Sequence, residues 1–220
     1  AMASALRAFS QYVPRDLVRR LIARGDINEL RSEARTITVL MTDIVGFSGR
    51  AERLSVVETA GFLNRHLCLV TSAIEAEGGI VDKFIGDAVM AFWGAIEDEP
   101  DHASRAVAAA NRIRQAVRED NAMRDDPVRL RIGIHSGPVV AGNIGTATRM
   151  NYTVIGDTVN IAQRLEALGK SLLPDHETAI LLSAETASAV RPPDQLISLG
   201  RHILRGRTGQ AEIFTLADDG

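Results

Sequence analysis

The chain has 220 residues, 45% hydrophobic and 24% charged, with 25 basic residues against 28 acidic ones for a net charge of −3. That composition excludes disorder, collagen and a pure coiled coil, points to one globular domain, and gives no electrostatic reason for nucleic acid or an anionic membrane as partner. Its longest apolar stretch, Ala88 to Ile96, is nine residues with a glycine inside, against about 20 for a membrane-crossing helix.

Residues 1–3, Ala-Met-Ala, read as a cloning remnant. Residues 4–34 read as a helical connector. Within them Phe9, Tyr12, Val13, Leu17, Val18, Leu21 and Ile22 recur at helical spacing up to Gly25, which fits either a link to an upstream element or an N-terminal helix packed on its own domain. From residue 35 to 220 strands and helices alternate. Thr36 to Thr42 is β-branched and apolar and predicts a buried strand ending at Asp43. Val56, Ala60, Leu63, Leu67, Val70 and Ile74 form a helical stripe that Gly78-Gly79 ends, with Cys68 beside it as a core residue. As the only cysteine, Cys68 can form neither an internal disulfide nor, with five scattered histidines, a zinc site; a reducing, cytosolic setting is expected. Ile80 to Ile85 and Ala88 to Trp93 read as a hairpin turning at Gly86-Asp87. Asp101 to Asn121 reads as a second helix, and Val128 to His135 as the next strand.

This order, strand, helix, strand, strand, helix, strand, is the ferredoxin-like βαββαβ arrangement, an α+β fold with two helices on one face of an antiparallel sheet. A C-terminal β/α extension follows. It holds a hairpin around Ser136-Gly137-Pro138, a strand near Asn151 to Ile155, a helix from Asp157 to Gly169, and a short strand, helix and hairpin up to Leu216.

Asp43 ends the first strand ahead of Ile44-Val45-Gly46-Phe47-Ser48, a loop entering a helix, where free amides and a glycine suit a phosphate. Alone, Asp43 reads as an N-cap. Asp87 sits at the hairpin tip between the second and third strands, and in this fold the first and third strands are neighbours, so the two carboxylates can meet. Such a pair repels unless a cation lies between, and its oxygen ligands favour Mg²⁺ or Mn²⁺. Two such ions about 3.5–4 Å apart suit phosphoryl chemistry. The alternative is that Asp87 only makes the turn. Asn160 and Arg164 lie four apart on one helix face, either to hold a ribose and a phosphate or as a solvated face. Arg131 reads alone as an edge-facing charge.

Four segments then carry a resemblance: Thr42-Asp43-Ile44-Val45-Gly46-Phe47-Ser48, Lys83 to Gly94, Arg131-Ile132-Gly133-Ile134-His135-Ser136-Gly137, and Tyr152 to Arg164. In this order they resemble the signature segments of class III nucleotidyl cyclase catalytic domains, over about Arg35 to Leu216. The resemblance implies a head-to-tail homodimer with composite active sites at the interface, acting on ATP in signal transduction. Asp43, Asp87 and the Ile44 carbonyl of one chain would hold two divalent metal ions, while Asn160 and Arg164 come from the other chain. The Val45, Gly46 and Phe47 amides with Arg131 would hold the triphosphate.

Lys83 is only a donor, so it complements adenine N1 and opposes the N1–H of guanine; guanylate cyclases typically carry a glutamate there. Thr153 stands where many adenylate cyclases have an aspartate, as in the branch that includes bicarbonate-responsive cyclases. In the C-terminal loop the family's phosphate-binding lysine is absent, and Arg205 or Arg207 stands near its place, Arg205 being our assignment. The stretch Leu173 to Glu177 is longer than the family's connector. The expected activity is conversion of ATP to 3′,5′-cyclic AMP and pyrophosphate by a cytoplasmic catalytic domain joined to an upstream sensory or membrane part. The competing readings are a guanylate or dual-specificity cyclase and an inactive cyclase-like module. A diguanylate-type cyclase is disfavoured, because its Gly-Gly-Asp/Glu-Glu-Phe hairpin is replaced by Ile85-Gly86-Asp87-Ala88-Val89.

Overall fold

The run Thr-Ile-Thr-Val-Leu-Met-Thr forms the middle of β1 (Glu33–Ile44), which is buried on both faces through its centre. The computed structural model describes residues 32–146, 149–192 and 196–217. The amphipathic segment Phe9 to Ile22 therefore lies outside the described residues, and β1 begins two residues inside the segment read as a connector. After β1 come α1 (Phe47–Ala51), α2 (Val56–Ala76), β2 (Ile80–Ile85), β3 (Ala88–Trp93), α3 (His102–Asn121), β4 (Leu130–Thr146) and β5 (Arg149–Ile155). The chain continues through α4 (Asp157–Leu172), β6 (Thr178–Ser183), α5 (Ala184–Ala189), β7 (Leu196–Ile203) and β8 (Gln210–Leu216). All the strands share one sheet in the order β2-β3-β1-β4-β6-β8-β7, with β5 paired to the far half of β4.

Side-chain alternation along β1 divides the core in two. Leu40 and Ile44 pack with Val70 and Ile74 of α2 and with Ala106, Ala110 and Ile113 of α3, while Ile37, Val39 and Met41 meet Ala162 of α4 on the opposite face. A capping box starts α2: Ser55 Oγ accepts from the Glu58 amide at 3.2 Å, and the Glu58 carboxylate accepts from the Ser55 amide at 2.9 Å. Closure of α4 onto the sheet depends on Gly133, where a Cβ would collide with the backbone of Ala162 and Glu166.

Three expectations are corrected. Ser136-Gly137-Pro138 makes no turn; β4 runs straight through it, and Pro138 stands opposite Thr36 of β1. On the other side β6 pairs with β4 only as far as Ile134 and β5 only from Val140, so proline's missing N–H falls where that edge has no strand partner. Cys68 is exposed rather than in the core. Val56 and Ala60 are exposed as well, since the buried face of α2 is carried by His66, Val70, Ala73 and Ile74. The Leu173–Glu177 stretch has a structural role: the Asn121 amide donates to Glu177 Oε1 at 2.7 Å, and the Glu177 carbonyl accepts from Leu130 N at 2.8 Å.

Candidate active site

Asp43 stands directly opposite Arg131 in the β1–β4 register, so the two side chains leave the sheet on the same face. Arg131 Nη2 bonds Asp43 Oδ2, and its Nε donates to Glu166 Oε1 of α4 at 2.6 Å. Asp87 arrives from the β2–β3 turn, where Gly86 adopts a φ of 65° that a tight two-residue turn requires. Its Oδ2 accepts from the Ile44 amide at 3.1 Å, so Asp87 reaches back to the end of β1 rather than only making its turn. Burial first, and then the Asp43 charge, push the Asp87 carboxyl above the usual carboxylate range. Burial raises Glu166 too, with Asp43 and Asp87 adding to the shift and Arg131 opposing it.

The site is thus a carboxylate pair whose mutual repulsion is offset by one guanidinium. Its donors are all oxygens at the end of neighbouring strands, which fits a hard divalent cation such as Mg²⁺ or Mn²⁺ and does not fit zinc. Among the described residues no group of three or more His, Cys, Asp or Glu forms a metal cluster. The chain's side chains would therefore supply two carboxylates, with the remaining oxygens coming from backbone, phosphate and water.

In the loop after β1, Gly46 takes a φ of 73° at the start of α1. The Val45 amide is committed to the Arg129 carbonyl at 2.8 Å, so of the three amides expected to meet phosphate, Val45 is withdrawn. Phe47 is held by stacking on Phe62, with centroids 6.2 Å apart.

Lys83 and Thr153 meet from β2 and β5: Lys83 Nζ donates to Thr153 Oγ1 at 3.3 Å. A third residue, absent from the sequence reading, completes the cluster. Asp82 Oδ2 accepts from Thr153 Oγ1 at 2.9 Å and lies 3.1 Å from Lys83 Nζ, with its side chain only 1% exposed.

Asn160 is exposed and Arg164 half-buried on α4. Gly206 of the Leu204–Gly209 loop lies beside the Arg164 guanidinium. In that loop Arg207 pairs with Asp157 at the start of α4, which leaves exposed Arg205 as the better phosphate candidate. Among the described residues no hydrogen bond or ion pair joins Asn160 or Arg164 to Asp43 or Asp87. Glu166 was also missed by sequence reasoning, although a carboxylate four residues after Ala162, on the sheet-facing stripe of α4, signalled a buried partner.

A family model described as the adenylate and guanylate cyclase catalytic domain matches residues 30–217. Adenylate cyclase 1 of Rhizobium meliloti (strain 1021) is 30% identical over 214 residues, which cover 96% of this chain and 32% of that protein. The chain spans about a third of the length of this relative and of the adenylate cyclase of Anabaena cylindrica, and 8% of a Dictyostelium discoideum adenylate cyclase. A solved bacterial light-regulated adenylyl cyclase aligns with a TM-score of 0.85 and 28% identity over 98% of this chain and 61% of that one. The guanylyl cyclase Cya2 aligns with a TM-score of 0.74 and 31% identity over 86% of this chain and 95% of that one. With the match spanning nearly all of the described residues, and Asp43, Asp87 and Arg131 gathered at the strand ends, the chain belongs to the class III adenylate and guanylate cyclase catalytic domain family.

Proposed function

We propose that the chain is an adenylate cyclase acting as a homodimer, converting ATP to 3′,5′-cyclic AMP and pyrophosphate. The observation that carries this reading is the convergence of Asp43 and Asp87 beside Arg131. Asp43, Asp87 and the Ile44 carbonyl would hold two divalent cations, Mg²⁺ or Mn²⁺. When bound, these supply acidity to the ribose 3′-hydroxyl and offset the charge of the departing pyrophosphate.

The chain's own groups do the rest. The Gly46 and Phe47 amides, Arg131 and Arg205 bind the triphosphate. The 3′-oxygen gives its proton to solvent and attacks the α-phosphorus in line, and the bond from that phosphorus to the departing pyrophosphate breaks. Asn160 orients the ribose and Arg164 meets the charge that builds on the transferring phosphoryl group. Among the described residues nothing ties these two to Asp43 or Asp87, so on this reading a second copy would provide them. Apolar side chains left exposed beside the base-reading residues support that dimer: Phe84 and Ile85, 52% and 49% exposed, follow Lys83, and Ile155, 53% exposed, lies two residues past Thr153.

The family contains enzymes for either purine, so base choice rests on the chain's own donors. Lys83 offers only N–H groups, which match adenine N1 and oppose the N1–H of guanine. The share of longer relatives covered by this chain supports its role as the output part of a longer, sensor-bearing protein. Incubation with ATP and with GTP, each with Mg²⁺ and with Mn²⁺, followed by product separation, tests the proposal. Cyclic AMP should form faster than cyclic GMP; no cyclic product, or a preference for GTP, overturns it.

A further inference from the structure

Consecutive residues of a regular strand point to opposite faces, yet Asp82 and Lys83 both reach Thr153. The cause is a bulge in β2: Val81 pairs with Ala91 and Lys83 with Met90, so Asp82 is the extra residue. This distortion inserts a carboxylate, its side chain 1% exposed, behind an ammonium that remains 48% exposed. A charge buried so deeply is costly unless it is paired, and Asp82 is paired twice, with Thr153 at 2.9 Å and with Lys83 at 3.1 Å. Burial raises the Asp82 carboxyl, and the Thr153 hydroxyl and Lys83 ammonium both pull it down again.

A threonine hydroxyl has one hydrogen and two lone pairs, so by itself it accepts or donates and does not discriminate between purines. Here its hydrogen is committed to Asp82 and one lone pair to Lys83. One lone pair remains, and toward any further ligand Thr153 can only accept. The same contacts use two of the three N–H groups of Lys83 and leave one. The pair therefore presents an acceptor beside a donor. Adenine shows the complementary pattern, a 6-amino donor beside the N1 acceptor; guanine shows the opposite, an O6 acceptor beside N1–H.

We infer that Asp82 is a positioning residue for base selection: by taking the Thr153 hydroxyl proton and tethering Lys83 it turns an ambivalent threonine into an acceptor for the adenine amino group. This deepens the adenylate cyclase reading and rests on it for the identity of the nucleotide site. An amide at position 82 carries a donor as well as an acceptor, so Thr153 would no longer be held to donating toward it, and the hydroxyl proton would be free to point at guanine O6.

The test uses Asp82→Asn, Thr153→Val and the double variant. Two quantities are read: the ratio of kcat/KM for ATP to that for GTP, and displacement of methylanthraniloyl-ATP by ATP and by GTP, which reports base preference whether or not nucleotide is cyclised. Asp82→Asn should lower the adenine preference by about tenfold, the value of one charge-assisted hydrogen bond, through KM more than kcat. Thr153→Val should lose a similar factor, and adding Asp82→Asn to it should cost clearly less than Asp82→Asn costs in the wild type. An unchanged preference in Asp82→Asn, or losses that multiply in the double variant, overturns the inference, as does a wild-type protein that binds both purines equally. Thr153→Ser keeps the hydroxyl that Asp82 orients and must keep the preference; a Thr153→Ser protein no better than Thr153→Val also overturns it, even where Asp82→Asn does not fold. Adenine-selective displacement that depends on Asp82 without any cyclic product refutes the cyclase reading alone. Cyclic AMP formation with a preference indifferent to Asp82 refutes only this inference.

Discussion

Arg131 has two carboxylate partners drawn from different elements, Asp43 across the sheet and Glu166 on the helix above it. Either carboxylate alone leaves the guanidinium free to swing; together they fix its plane, as a bidentate cation requires. Glu166 is buried against Arg131 and on this reading acts through it. Replacing it as Glu166→Gln keeps the shape and removes the charge, and turnover of ATP should fall by about 10–100-fold, the usual cost of losing an outer partner at such a site. Steady-state kinetics check this, and wild-type turnover would show that Asp43 alone holds Arg131 in place.

At the scale of elements, the close seating of α4 on β4 delivers Glu166 to Arg131, and it exists because residue 133 is glycine. Gly133→Ala would force a Cβ into the Ala162 and Glu166 backbone and should destabilise the fold by about 3 kcal/mol, read as a lower urea midpoint with an unchanged m-value. A second element effect concerns α2. His66 is 3% exposed, its Nε2 has no hydrogen-bond partner, and burial, then the Arg124 charge, lower its pKa to about 4 from 6.5. Below pH 6.5 the unfolded chain binds a proton that the folded chain refuses. This contribution to stability is thus complete above pH 6.5 and falls by about 1.4 kcal/mol per unit as pH drops toward the folded value. Urea unfolding at pH 7 and pH 5 should show the loss in wild type and a smaller one in His66→Leu; equal slopes would contradict it.

The elements that sequence periodicity located best, the β2–β3 hairpin and the helices α2 to α4, are those whose local preference agrees with their tertiary setting. Ser136-Gly137-Pro138 misled because its turn chemistry is real but is overridden by pairing with β1. Cys68 misled because the apolar stripe was extended back to Val56, whereas burial on α2 begins near Phe62 and rotates toward His66. Asp43, Asp87, Lys83 and Arg131 were legible from their motifs. Asp82 was not, since its placement depends on a bulge; Glu166 was marked as buried by its place on the sheet-facing stripe of α4, but its partner Arg131 depends on the approach of α4 and is not written in local spacing.

For the whole molecule, the proposed reading divides the site residues in two. Asp43, Asp87 and Arg131 meet at the strand ends, while Lys83 and Thr153 cluster with Asp82, and to this second group the proposal adds Asn160, Arg164 and the Arg205 loop. None of the described helices is long and apolar enough to cross a membrane. The near-neutral net charge of −3 conceals this division. On the proposed reading, two copies placed head to tail would complete two sites, each from one group of either kind.

The central claim, that cyclic AMP is made by two chains together, is tested most directly by mixing two inactive proteins, Asp87→Ala and Arg164→Ala, under subunit exchange. In each mixed dimer one site takes both defects and the other takes none. Half the dimers being mixed, cyclic AMP formation should return to about a quarter of the wild-type rate. A mixture that stays as silent as its components, while exchange of subunits is demonstrated, would contradict the account.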